Sequence, residues 1–70
     1  MEPTAQFARN LRRLREARGF TQDGLGRAVM MDGAEISRYE RGERDPQLRN
    51  LVRLARGLGV TVAELVADIE

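Results

Sequence analysis

The sequence predicts an all-α, compact domain of five short helices. Three observations predict it: apolar residues recur at three- and four-residue spacings, capping residues and glycines punctuate the segments between them, and no stretch alternates like a strand. Phe7, Leu11 and Leu14 stand at i, i+4 and i+7 with Arg9, Arg12, Arg13 and Glu16 between them, which predicts an amphipathic helix over 4–18 entered at Pro3 and Thr4. Gly19 should stop it. Thr21 caps a second helix over 22–29, with Leu25, Ala28 and Val29 on its inner face. Gly24 and Gly26 weaken that helix by about 1 kcal/mol each relative to Ala, so packing must hold it.

Asp32 is expected to cap, through its carboxylate, a third helix over 33–41 that is buried by Ile36 and Tyr39 and closed by Gly42. Asp45-Pro46 marks a turn into a fourth helix over 47–57. Its apolar row of Leu48, Leu51, Leu54, Ala55 and Leu58 is assigned to the core, and Gly57 and Gly59 are expected to end it. Thr61 followed three residues later by Glu64 is a capping box, opening a fifth helix over 62–69 with Leu65, Val66 and Ile69 inside. Met30 and Met31 stay open at this point between core fillers and an exposed contact patch.

Seventy residues without cysteine or histidine allow one domain and exclude disulfides, thiolate chemistry, the usual zinc sites and imidazole catalysis. Ser37 is the sole serine, so no nucleophile has a base of the usual kind beside it. An enzyme, a cofactor, a metal site and a small-molecule ligand are therefore not expected. With no signal-peptide core and no membrane span, the chain reads as cytoplasmic. Its net charge of +1 hides an uneven distribution: residues 1–20 carry +3, 21–42 carry −1, 43–60 carry +2 and 61–70 carry −3. All twelve cations are arginine. Coding-genome composition accounts for that, or else guanidinium forks that fit phosphate and guanine.

The informative stretch is residues 21–42, a capped helix, a turn of about three residues and a second capped helix. This is the helix-turn-helix plan, in which the second helix enters the major groove and the first crosses the backbone above it. The segments LRRLREARGFTQDGL and EISRYERGERDPQLRNLVRLARGLGVTVAEL resemble the XRE-type helix-turn-helix family of phage repressors, Cro proteins and bacterial regulators, over residues 7–69.

The resemblance implies a lambda-repressor-like DNA-binding domain and a transcriptional regulator, a repressor by kind, that reads double-stranded DNA with its third helix as a homodimer. Gln22 matches the family glutamine that meets a phosphate, and the dipole and free N–H groups at that helix end favour an anion; otherwise Gln22 is a good first-turn residue. Gly33, Ala34 and Arg38 match the positions that touch base edges. Only Arg38 can make a bidentate contact, most simply to guanine O6 and N7; the alternative is a solvated surface arginine. Ala34 can pack on a thymine methyl, and Gly33 leaves a blank. Glu35 can accept from cytosine N4 or repel phosphate. Arg41 and Arg44 match the loop along the DNA backbone and read as phosphate contacts, or as partners of Glu43 or Asp45. Arg15 and Glu40 match a salt bridge that orients the third helix, and Met31 matches a position that packs inward, which assigns it to the core and leaves Met30 open.

Two departures stand out. Where relatives commonly have glycine in the turn this chain has Met30, which positive φ would strain, so the turn is expected to be rebuilt or one residue longer. Where they have alanine in the second helix it has Gly26. With the blank at Gly33 and the −1 charge of residues 21–42, these predict modest affinity and relaxed specificity, or reliance on a partner subunit. The dimer surface is placed at Val62, Val66 and Ile69, which otherwise complete the core. The competing reading keeps the fold as a protein-interaction or dimerisation module with weak or no DNA binding, supported by Asp23, Asp32 and Glu35 on the same side.

Overall fold

In the computed structural model, which describes residues 1–70, helix α1 (Pro3–Ala17) starts where Glu2 adopts an extended backbone and its carboxylate accepts the Ala5 N–H at 3.0 Å. Pro3 supplies the pre-set first turn. The helix buries Phe7, Ala8, Leu11 and Leu14 and gives way at Gly19, whose φ of 76° only glycine adopts without strain. Helix α2 (Gln22–Val29) opens on Thr21, whose hydroxyl accepts the Gly24 N–H at 2.9 Å, and buries Leu25, Gly26 and Val29, whereas Ala28, expected on the inner face, is exposed.

The turn that follows contradicts the expected rebuilding or lengthening. Met30 itself takes the left-handed conformation, at φ 61° and ψ 45°, and the Met31 N–H donates to the Gly26 carbonyl at 2.8 Å. That six-to-one closure is the one glycine usually serves. Met30 is 86% exposed, so its side chain gains little in return, whereas Met31 packs against the core. Replacing Met30 with glycine relieves the left-handed strain and is expected to stabilise the fold by about 1 kcal/mol, raising a thermal midpoint by about 4–8 °C. A lower midpoint would mean that the exposed thioether is held by a contact after all.

Helix α3 (Gly33–Glu40) buries Ile36 and Tyr39 and ends ahead of Gly42, at φ 71°. Asp32 has the extended backbone of a cap, yet its carboxylate makes no capping hydrogen bond. The carboxylate that comes up against Gly33, the first residue of α3, belongs to Asp23 of α2.

Helix α4 (Leu48–Leu58) corrects two expectations. Gly57 lies inside it, where a Cβ would run into the Val29 side chain, so that glycine lets α2 and α4 close together while Gly59, at φ 69°, ends the helix. Leu48, assigned to the core, is 72% exposed; it occupies the first turn, where the chain is still arriving from the loop, and the helix meets the core from Leu51 on, burying Leu54, Ala55 and Leu58.

Helix α5 (Val62–Leu65) is capped by Thr61, whose hydroxyl accepts the Glu64 N–H at 3.1 Å, but it stops four residues short of the expected end. Asn10 explains the stop. Buried on α1, its amide donates at 2.9 Å to both the Leu65 and Ala67 carbonyls, and the chain then turns through Asp68 at φ 66°. Gln6 donates to the Asn10 carbonyl oxygen at 2.9 Å, so this buried amide is satisfied on both sides.

One core joins all five helices. Leu11, Leu25, Ile36, Leu54 and Leu65 have no exposed surface, and Phe7 meets Tyr39 edge to face at 5.8 Å between ring centroids. Tyr39 keeps its hydroxyl satisfied by the Asn50 amide at 3.0 Å, while burial raises its pKa above the ordinary value. No helix is long and apolar enough to cross a membrane.

Candidate nucleic-acid interface

The chain buries one side of α3 through Ile36 and Tyr39, which leaves Ala34, Arg38 and Arg41, at i, i+4 and i+7, exposed on the other. What fixes the direction of this exposed face is a three-way junction. The Arg15 guanidinium forks onto Glu40, Nε to Oε2 at 2.6 Å and Nη2 to Oε1 at 3.0 Å, and its remaining Nη1 donates to the Phe20 carbonyl at 2.7 Å. Gln22 adds a third bond to the same carboxylate, 3.1 Å from Nε2 to Oε1. One acid thus ties α1, the start of α2 and the end of α3 together.

Gln22 therefore has one amide N–H committed to Glu40. Its other N–H stays available, as do the backbone N–H groups of Gln22 and Asp23, because the Thr21 hydroxyl takes only the Gly24 N–H. Such a helix end favours an anion.

The basic residues are partly spoken for. Arg41 pairs with Glu43, Nε to Oε2 at 2.8 Å, and reaches back to the Ser37 hydroxyl at 2.6 Å. That pair holds the Arg41 pKa above, and the Glu43 pKa below, the usual value. Arg44 bonds neither Glu43 nor Asp45; its Nη1 donates to both oxygens of Glu35, at 3.1 and 3.3 Å. Asp45 instead accepts the Thr4 hydroxyl. Arg38 lies 3.7 Å from Glu35 Oε1 with 48% of its side chain exposed.

Glu35 is thus neither an open acceptor for a base nor a free charge facing phosphate. Its side chain is 19% exposed and engaged by two arginines. At Gly33 a side chain would collide with Asp23, so its bareness also serves the α2–α3 contact. The surface assigned to dimerisation is half-buried, with Val62 and Ile69 packed against the core.

Residues 6–67 match the helix-turn-helix domain family. The chain belongs to this family. It is 35% identical over 66 residues to control protein C.MunI of a Mycoplasma species, covering 93% of this chain and 89% of that protein. It is 33% identical over 64 residues to the cryptic phage CTXphi transcriptional repressor RstR of Vibrio cholerae, 91% of this chain and 58% of RstR. Among solved structures, the restriction-modification controller protein C.AhdI of Aeromonas hydrophila superposes with a TM-score of 0.86 at 34% identity, over 89% of this chain and 94% of that one.

Within this helix-turn-helix domain the buried Asn10 has a signal in the sequence, a polar residue between Phe7 and Leu14 on an apolar face. The pairing of Glu35 with Arg44, nine residues on, has none, because only the return of the chain after Gly42 brings the two together.

Proposed function

We propose that this helix-turn-helix domain is a sequence-specific DNA-binding transcriptional regulator of the repressor kind, not an enzyme, working in the cytoplasm as a homodimer with α3 in the major groove. One observation carries the reading: the exposed face of α3 presents Arg38, with Arg41 and Arg44 beyond it, on a helix whose aim is set by the Arg15–Glu40–Gln22 junction. Arg38 is the base reader, and Gln22, Arg41 and Arg44 meet phosphates. Ala34 packs on a thymine methyl. A control protein, a phage repressor and a restriction-modification controller among the similar proteins support the same reading. A symmetric pair would contact half-sites about 34 Å apart.

A duplex selected from a random pool supplies the operator. Affinity should then fall steeply with salt, the slope of log K against log salt being about −0.9 per phosphate contact. Arg38→Ala is expected to cost about 1–3 kcal/mol on the operator and to flatten preference at one base, whereas Arg44→Ala weakens all sequences alike. Unchanged preference in Arg38→Ala would remove the assigned base reader. The second reading, a protein-interaction module, draws on the exposed side chains of Met30 and Leu48. No binding to any duplex at low salt selects it.

A further inference from the structure

Glu35 places one carboxylate between the two arginines assigned to the DNA. Arg44 donates to both of its oxygens, at 3.1 and 3.3 Å, and Arg38 stands 3.7 Å from one of them. The arginine side chains are about half exposed, at 50% and 48%, while the Glu35 side chain between them is 19% exposed. The acid is thus the covered member and the cations are the ones free to turn outward. A guanidinium has five donors, so Arg38 can present one edge to a base while its other edge keeps company with the carboxylate. A carboxylate this covered is costly to strip of its partners, so the arginines cannot both leave it.

Resting on the DNA-binding reading, we infer that Glu35 is a positioning residue that sets sequence specificity: its carboxylate holds Arg38 toward the base edges and keeps it off the phosphates. On a duplex lacking the right guanine, an unrestrained Arg38 would gain a phosphate contact from any sequence. With Glu35 in place that swing brings phosphate toward a carboxylate and separates the ion pair, so the wrong duplex gains less. On the right duplex Arg38 bonds guanine from the held position. Discrimination then arises from a residue that touches no base.

The test measures affinity of the full chain for the selected operator and for mixed-sequence duplex, across a salt series, in Glu35→Gln, Arg38→Ala and the double variant. Glu35→Gln keeps the shape and removes the charge. It is expected to strengthen binding to mixed-sequence duplex about five- to tenfold, to steepen the salt slope there by about one contact's worth, and to lower the operator-to-mixed ratio correspondingly. In the Arg38→Ala background, Glu35→Gln should leave the ratio unchanged. A merely structural role would instead lower the thermal midpoint and weaken both duplexes alike, which overturns the inference. An unchanged ratio in Glu35→Gln, or a lowered ratio that persists without Arg38, overturns it too. Loss of preference at a base other than the one Arg38 reads would make Glu35 a base reader and also overturn it. Failure of the wild-type chain to bind either duplex sinks the DNA-binding reading itself, an outcome distinct from binding with an unchanged ratio.

Discussion

Replacing Glu40 with alanine is expected to remove about 3–5 kcal/mol of stability, a large part of the roughly 4–10 kcal/mol that a domain of this size holds. The acid has 4% of its side chain exposed and accepts three hydrogen bonds, two from Arg15 and one from Gln22. Arg15, whose side chain is 11% exposed in the intact junction, would then keep the Phe20 carbonyl as its remaining protein partner. Arg15 cannot escape by losing its proton, because an arginine titrates beyond any working pH even without the bond to Glu40 that raises it further in the intact junction. The cost is therefore that of a cation left covered and underpaired, not the net worth of the pair. A thermal melt should show the midpoint falling by about 15 °C or more. Replacing both partners, as in Arg15→Met with Glu40→Leu, should recover most of that loss, since it leaves no orphaned charge. An unchanged midpoint in Glu40→Ala would mean that water reaches the junction.

The contrast between Glu40 and Asn10 shows what the chain discloses locally and what it does not. The starts of α2 and α5 were legible because Thr21 and Thr61 act on N–H groups three residues away, a range the sequence displays directly. The end of α5 was not, because Asn10 reaches it from 55 positions earlier, and only packing brings the two together. Leu48 kept the helical period of its neighbours, but periodicity assigns a face and says nothing of how far along the helix the core extends. Met30 was recognisable as a strained choice for a tight turn. That the chain would accept the strain follows from how closely α2 and the turn pack, which no residue type announces. At the candidate interface the residue types are readable in the sequence and their pairings are not: Arg44 reads as a phosphate contact with Glu43 or Asp45 as its alternative partner, and the acid it holds is Glu35.

That close packing leads to the second large effect, at Gly26. A Cβ there would stand 2.5 Å from the Met31 carbonyl oxygen, 3.0 Å from the Gly33 nitrogen and 3.1 Å from the Asp32 carbonyl carbon. All three are backbone atoms, and they belong to the turn and to the first residue of α3. They cannot swing aside as a side chain would. The Gly26 carbonyl moreover accepts the Met30 N–H and the Met31 N–H, so pushing the turn away also opens the closure that ends α2. Gly26→Val is expected to cost about 3 kcal/mol or more, against which the helix-propensity gain of valine over glycine, about 0.5 kcal/mol, is too small to compensate. Ala28→Val, an exposed change in the same helix, should cost only about 0.5 kcal/mol and serves as the comparison. Because the displaced atoms carry α3, the Gly26 variant should also lose operator binding at temperatures where its helical signal persists, while the Ala28 variant keeps it. Equal melting midpoints for the two variants would show that the turn has room to spare, and the tight α2–α3 approach could then no longer be what sets the angle of the reading helix.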